Sequence, residues 1–186
     1  MLNFENDAAS FRAFIQMHQD RVYNAVLNRV QNISDAEEIT QDVFIDVFRQ
    51  PGAFRGEAAV TTWLYRIAMN KCVDHLRRQK RRNRWNVSTW FTGHDNEPGV
   101  HPVAADFFHP GIAAENREKA ALLFKAMKQL PYNQHTAWVL HEMDNRSYKE
   151  ISEIMHLSVS SVESLLFRAR QHMKKILSGM YPGRET

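Results

Sequence analysis

The sequence predicts an all-α protein, with two small helical domains joined by a flexible linker and the second domain a helix-turn-helix. Three observations carry that prediction. Apolar residues recur at helical spacing along most of the chain, no clear strand alternation occurs, and the middle is punctuated by proline and glycine with no sustained period. A chain of 186 residues accommodates one medium domain or two small ones, and its 44% apolar and 24% charged residues fall in the ordinary globular range.

In the first segment Phe11, Phe14, Ile15, Val22, Ala25, Val26 and Val30 form the stripe of an amphipathic helix. The next helix is predicted to start at Ser34, where Ser34 and Glu37 make an S-x-x-E capping box ahead of Ile39, Val43, Phe44, Val47 and Phe48. Pro51-Gly52 ends it, and a third helix runs from about Thr62 into the arginine cluster. Residues 85–114 hold three of the six prolines and three of the seven glycines, which marks a spacer between domains at 1–84 and 115–186. Its Trp85, Trp90, Phe91, Phe107 and Phe108 are unusual in a plain tether and either dock on a partner or pack back on the chain. Beyond it, Ala120, Leu123, Met127 and Leu130 form one stripe, and a helix after Pro131 runs through Leu140 and Met143. Two further segments follow, Ser147 to Met155 and roughly Val159 to Leu177.

The formal charge of +3 hides a segmental pattern: residues 1–84, 85–114 and 115–186 carry +3, −3 and +3. Lys71 to Arg84 alone contains seven cationic side chains against the single carboxylate Asp74. Such clustering fits a nucleic-acid partner. The lone Cys72 forms no internal disulfide, no Cys/His set has zinc-site spacing, and no cofactor is implied. The beginning MLNFENDAAS is acidic and no apolar run reaches about 18 residues, so a cytoplasmic protein with no membrane insertion of its own is expected.

Ser147-Tyr148-Lys149-Glu150 is a second capping box, opening a short helix with Ile151, Ile154 and Met155 on its inner side. A brief turn at His156-Leu157-Ser158 and a longer helix complete a helix-turn-helix pattern. Projected at about 100° per residue, Val162, Leu165, Leu166, Ala169, Met173 and Ile176 share one side of the longer helix. Ser160, Ser164, Phe167, Gln171 and Lys174 share the other, so Phe167 faces outward, toward a thymine methyl or a neighbouring element. Arg168, Arg170, Lys174 and Lys175 supply a cationic flank for phosphates, or a solvated surface. Glu163 closes a capping box if Ser160 is the N-cap and points outward if Ser158 is.

The same projection on the third helix places Tyr65, Met69, Cys72, Val73 and Leu76 on an inner face. Asn70, Lys71, Asp74, Arg77 and Arg78 lie opposite. Trp63, near the polar side with Phe54 and Tyr65, either stacks an unpaired base or anchors the core.

Two stretches resemble a known family. Asp35 to Phe44, then Phe54-Arg55-Gly56 and Thr62-Trp63-Leu64-Tyr65-Arg66-Ile67-Ala68 leading to Asn70 and Asp74, resemble region 2 of the extracytoplasmic-function sigma factors. Leu130-Pro131 through Ser147–Ile154 to Ser161-Val162-Glu163-Ser164 and Phe167-Arg168-Ala169-Arg170 resembles their region 4. The resemblance implies that Glu38, Gln41, Asp42 and Asp46 bind the β′ clamp helices of core RNA polymerase. It implies minus-ten promoter reading by Phe54, Arg55, Thr62, Trp63, Arg66, Asn70, Lys71, Asp74, Arg77 and Arg78. Minus-thirty-five reading falls to Ser158, Ser160, Ser161, Glu163, Ser164, Phe167, Arg168, Gln171 and Lys174, with region 4 also touching the polymerase β flap. The acidic spacer resembles the segment that threads polymerase toward its active site, and an anti-sigma factor is an expected partner. Many family members carry lysine and arginine where Glu163 and Leu165 stand, and glycine where His156 stands.

The alternative is a helix-turn-helix regulator acting on duplex operators without polymerase, which would require a symmetric dimer and half-sites. A small nucleic-acid enzyme is disfavoured, since no H-x-E…C-x-x-C, H-E-x-x-H, G-x-x-x-x-G-K-[ST] or G-x-S-x-G pattern occurs.

Overall fold

The computed structural model describes residues 8–56, 58–88 and 116–180, and all regular structure among them is helical. Trp90, Phe91, Phe107, Phe108 and most of the expected spacer lie outside the described residues. Three helices form the first half: α1 (Ala8–Val30), α2 (Ile33–Arg49) and α3 (Val60–Ser88). They pack through the stripes that periodicity predicts, with Val22, Ala25, Val26, Ile39, Val43, Val47, Tyr65, Met69 and Cys72 all buried. Helix α3 runs past Arg84, where the first domain was expected to end.

The start of α2 differs from expectation. Its N-cap is Asn32, whose side-chain oxygen accepts from the Asp35 N–H at 3.0 Å, so the Ser34–Glu37 capping box does not form. The reason is local: Gln31 leaves α1 in the left-handed region (φ 53°), which puts Asn32 in extended backbone two residues ahead of Ser34. Phe48 also departs from its stripe. It is 52% exposed at the last turn of α2, in ring contact with Phe11.

The second half comprises α4 (Arg117–Lys128), α5 (Tyr132–Trp138), a π-helical continuation at Val139–Met143, α6 (Tyr148–Met155) and α7 (Val159–Met180). The Ser147 capping box is present with both reciprocal bonds, and the α6–α7 turn carries His156 in the left-handed region (φ 53°), where a glycine would be at ease. A small core of Phe124, Met127, Leu130, Val139, Ala169 and Met173 holds α4 against α5 and α7. The larger core is continuous across both halves: Leu64, Ala68 and the rest of the α1–α3 cluster join Ala137, Leu140, Ile151, Ile154, Val162 and Leu166.

Candidate nucleic-acid and polymerase interfaces

Ser158 is the N-cap of α7. Its hydroxyl accepts from the Ser161 N–H at 3.2 Å and its carbonyl from the Val162 N–H at 3.1 Å. With that cap in place Glu163 stands one turn inside the helix and points to solvent. Val162, Leu166, Ala169 and Met173 turn inward, while Ser160, Ser164, Arg168, Gln171 and Lys174 are exposed; Ser161 is half-buried. Phe167 is 63% exposed and, with Glu163, Ser164 and Arg168, lines an open depression. An aromatic ring held in water among serine hydroxyls and a guanidinium offers an apolar contact beside hydrogen-bonding groups, the combination that reads base edges. Arg170 is anchored elsewhere, to Glu142 of the π-helical turn at 3.0 Å, while Arg168 donates from Nε to the Ser164 carbonyl at 3.1 Å.

On α3, Asn70, Asp74, Arg77 and Arg78 are exposed along one side, as the projection predicts. Other expected contacts behave differently. Thr62 is 1% exposed, so its side chain does not reach the surface. Trp63 is half-buried against the core and packs on Phe54, ring centroids 5.4 Å apart, while Arg55 is exposed. Lys71 is tied to Asp46 of α2 at 2.7 Å, which pairs an expected DNA contact with an expected polymerase contact. His75 likewise reaches Asp35 at 3.2 Å, and these two bridges clip α2 to α3. Cys72 is fully buried, and burial pushes its thiol up to about 12, which leaves it a packing residue. On α2, Glu38 and Gln41 are exposed and Asp42 half-buried, beside Ile45 and Phe48 at 44% and 52% exposure. An acidic rim next to protruding apolar groups is the pattern of a protein-docking surface.

Sequence reasoning missed the residues that join the halves. Arg29 of α1 is 5% exposed; it donates from Nε to Thr136 Oγ1 at 3.2 Å, sits 2.9 Å from His135 Nδ1, and lies 4.3 Å over the Tyr132 ring. Arg66 Nη2 donates to the Glu153 carbonyl of α6 at 2.9 Å. Arg146 lies 4.4 Å over the Tyr65 ring while its Nη1 bonds Glu150 at 3.0 Å. One signal was available: Arg29 falls three and four residues after Val26 and Ala25, a charge at a core-facing position.

The family model for Sigma-70 region 2 matches residues 14–82, and that for Sigma-70, region 4 matches residues 120–173. The RNA polymerase sigma-H factor of Pseudomonas aeruginosa is 32% identical, over 92% of this chain and 88% of the relative. The ECF RNA polymerase sigma-E factor of Escherichia coli is 30% identical, over 90% of this chain and 86% of the relative. Among solved structures, the sigma factor RpoE in complex with the anti-sigma factor NepR from Bartonella quintana superposes with a TM-score of 0.66 at 16% identity, covering 91% of this chain and 97% of that one. CnrH in complex with the cytosolic domain of CnrY gives 0.63 at 18%, covering 94% and 91%. Among the described residues no helix is long and apolar enough to cross a membrane.

Proposed function

Since the chain belongs to the extracytoplasmic-function sigma factors of the sigma-70 family, which direct promoter-specific initiation by core RNA polymerase, we propose how its own residues divide that task. The exposed edge of α2, Glu38, Gln41 and Asp42 with Ile45 and Phe48, docks on the polymerase clamp. Asp46 acts indirectly, by holding Lys71 and thereby the angle between α2 and α3. Phe54, Arg55, Trp63, Arg66 and Asn70 read the melted minus-ten strand, and Arg77 and Arg78 follow its phosphates. Thr62 supports that surface from inside by packing. Ser160, Ser164, Phe167 and Gln171 face base edges of the minus-thirty-five duplex, with Arg168 and Lys174 on its backbone.

The chain works by binding and strand capture in the cytoplasm, without covalent chemistry of its own. Because one of its structural neighbours, the sigma factor RpoE, was solved with the anti-sigma factor NepR bound, we also expect such a partner here. The observation that carries the assignment is the pairing of two surfaces of different character. An aromatic and cationic face on α3 suits unpaired bases, and an open recognition helix on α7 suits a duplex. In vitro transcription with core polymerase and a randomised promoter library tests it. Selected templates should carry two conserved boxes, with Ser164→Ala or Gln171→Ala changing the upstream box only. A single box, or an unchanged upstream preference in both variants, refutes the division of labour.

A further inference from the structure

The exposed face of α7 carries one group whose charge is wrong for DNA. At about 100° per residue, Ser160, Glu163, Ser164, Phe167 and Gln171 fall within an arc of about 100°, and all five are exposed. A recognition helix presents its N-terminal residues to base edges, so Glu163, one turn in from the Ser158 cap, is carried into the groove with them. Nothing within the helix neutralises it: the residues three and four away are Val159, Ser160, Leu166 and Phe167. Arg170 is engaged with Glu142 at 3.0 Å, and Arg168 stands about 140° round the helix with its Nε on the Ser164 carbonyl at 3.1 Å. The carboxylate shares its open depression with Ser164, Phe167 and Arg168.

We propose that Glu163 determines specificity in the upstream box: it selects a C·G pair by accepting from the cytosine N4 amino group, and it rejects the other three pairs. This rests on the assignment of α7 to the minus-thirty-five duplex made above. An ionised carboxylate offers acceptors only. In the major groove guanine presents N7 and O6, both acceptors, and thymine presents O4 and a methyl group. Adenine sets its N6 donor beside the N7 acceptor, which faces the second carboxylate oxygen. Cytosine alone presents a donor with no acceptor of its own next to it. Pressed against any of the other three bases, the anion loses water and meets lone pairs, a penalty that no bond offsets. Against cytosine a charge-assisted hydrogen bond offsets it. The phosphates flanking the groove repel Glu163 on every sequence, so it weakens duplex binding in general and weakens it least where cytosine stands, which is discrimination by exclusion. Phe167, one turn on, adds an apolar ring beside the carboxylate; once the helix is seated, that ring keeps water from the bond and strengthens it.

The test is in vitro transcription by holoenzyme reconstituted with the full-length chain, on templates randomised across the upstream box, comparing wild type with Glu163→Gln and Glu163→Arg. Because Glu163 is exposed, both variants should keep the wild-type fold, which thermal unfolding checks. Wild type should hold cytosine at one position, by about 5- to 150-fold over the other bases, the range of one base-pair mismatch. Glu163→Gln should lose that preference and shift the position toward adenine, whose N6 and N7 a glutamine side chain pairs; Glu163→Arg should shift it toward guanine. No cytosine position in the wild-type box, or a box unchanged in both variants, would overturn the proposal. So would equal stimulation of all templates by both variants, which is the signature of relieved phosphate repulsion without base reading. Ser164→Ala and Gln171→Ala run in parallel separate the two ideas. An altered upstream box in either one keeps α7 as the duplex reader and rejects only the role of Glu163, whereas an unaltered box in both rejects the α7 assignment as well.

Discussion

Replacing Arg77 and Arg78 together by alanine should flatten the salt dependence of promoter binding, whereas replacing Lys71 should barely alter it. All three side chains lie on the cationic side of α3 and each removes one positive charge, but their surroundings differ. Arg77 and Arg78 are exposed, and Arg78 donates from its Nε to the Asp74 carbonyl at 3.3 Å. Lys71 is already neutralised by Asp46 at 2.7 Å, with 23% of its side chain exposed. Each phosphate contact contributes about 0.7 (single strand) to 0.9 (duplex) to the slope of log K against log salt. Losing two contacts flattens the slope by about 1.4 to 1.8, and at roughly 0.1 M salt that amounts to about 25- to 60-fold in affinity, or about 2 to 2.5 kcal/mol. The assay is fluorescence anisotropy of the holoenzyme on a library-selected promoter fragment, titrated between roughly 50 and 200 mM salt. Flattening by Lys71→Ala about half as large as that of the double arginine variant, one contact's worth, would refute the claim that ion pairing to α2 removes Lys71 from the phosphate count.

Phe167→Ala should leave the unfolding free energy within about 0.5 kcal/mol of wild type, because the ring is 63% exposed, while weakening duplex binding by α7; a marked loss of stability would mean that the ring packs internally. Ser147→Ala should cost about 1 kcal/mol in chemical denaturation, since it deletes the hydroxyl that receives the Glu150 N–H and bonds its carboxylate at 2.8 Å; no loss would show the cap to be redundant. Asp144, beside Tyr65 and Arg146, has its carboxyl pushed up to about 7 by burial, against 3.8 for the ordinary group. Between those values the folded chain holds a proton that the unfolded chain has lost, so this group lowers stability as pH rises from about 4 to 7, by at most about 1.4 kcal/mol per pH unit. Asp144→Asn should remove that decline, and parallel wild-type and variant curves would exclude Asp144 as its source. Gln41→Ala with Asp42→Ala should weaken association with core polymerase in a pull-down titration before it alters thermal unfolding; full retention would exclude that edge of α2.

What the sequence determined by itself is what depends on neighbours in the chain. Helical periodicity assigned the inner faces of α3 and α7, since side chains three and four apart share a face wherever the helix lies. The Ser147 capping box closes over three residues, and the positive φ at His156 answers a turn that the pattern already required. Even local reasoning failed where two caps competed: Asn32 prevailed over Ser34 because Gln31 had first turned left-handed. Only the tertiary structure decided matters that join distant segments. Lys71 looked like a phosphate ligand until α2 brought Asp46 to it, and Thr62 looked like a surface residue until packing covered it. Arg29 meets Thr136 across a separation of 107 residues, and Arg66 meets Glu153 across 87, which no periodicity records. The physical reason is that a side chain's direction is set by its own helix, whereas its partner and its access to water are set by whichever helix comes to lie against it.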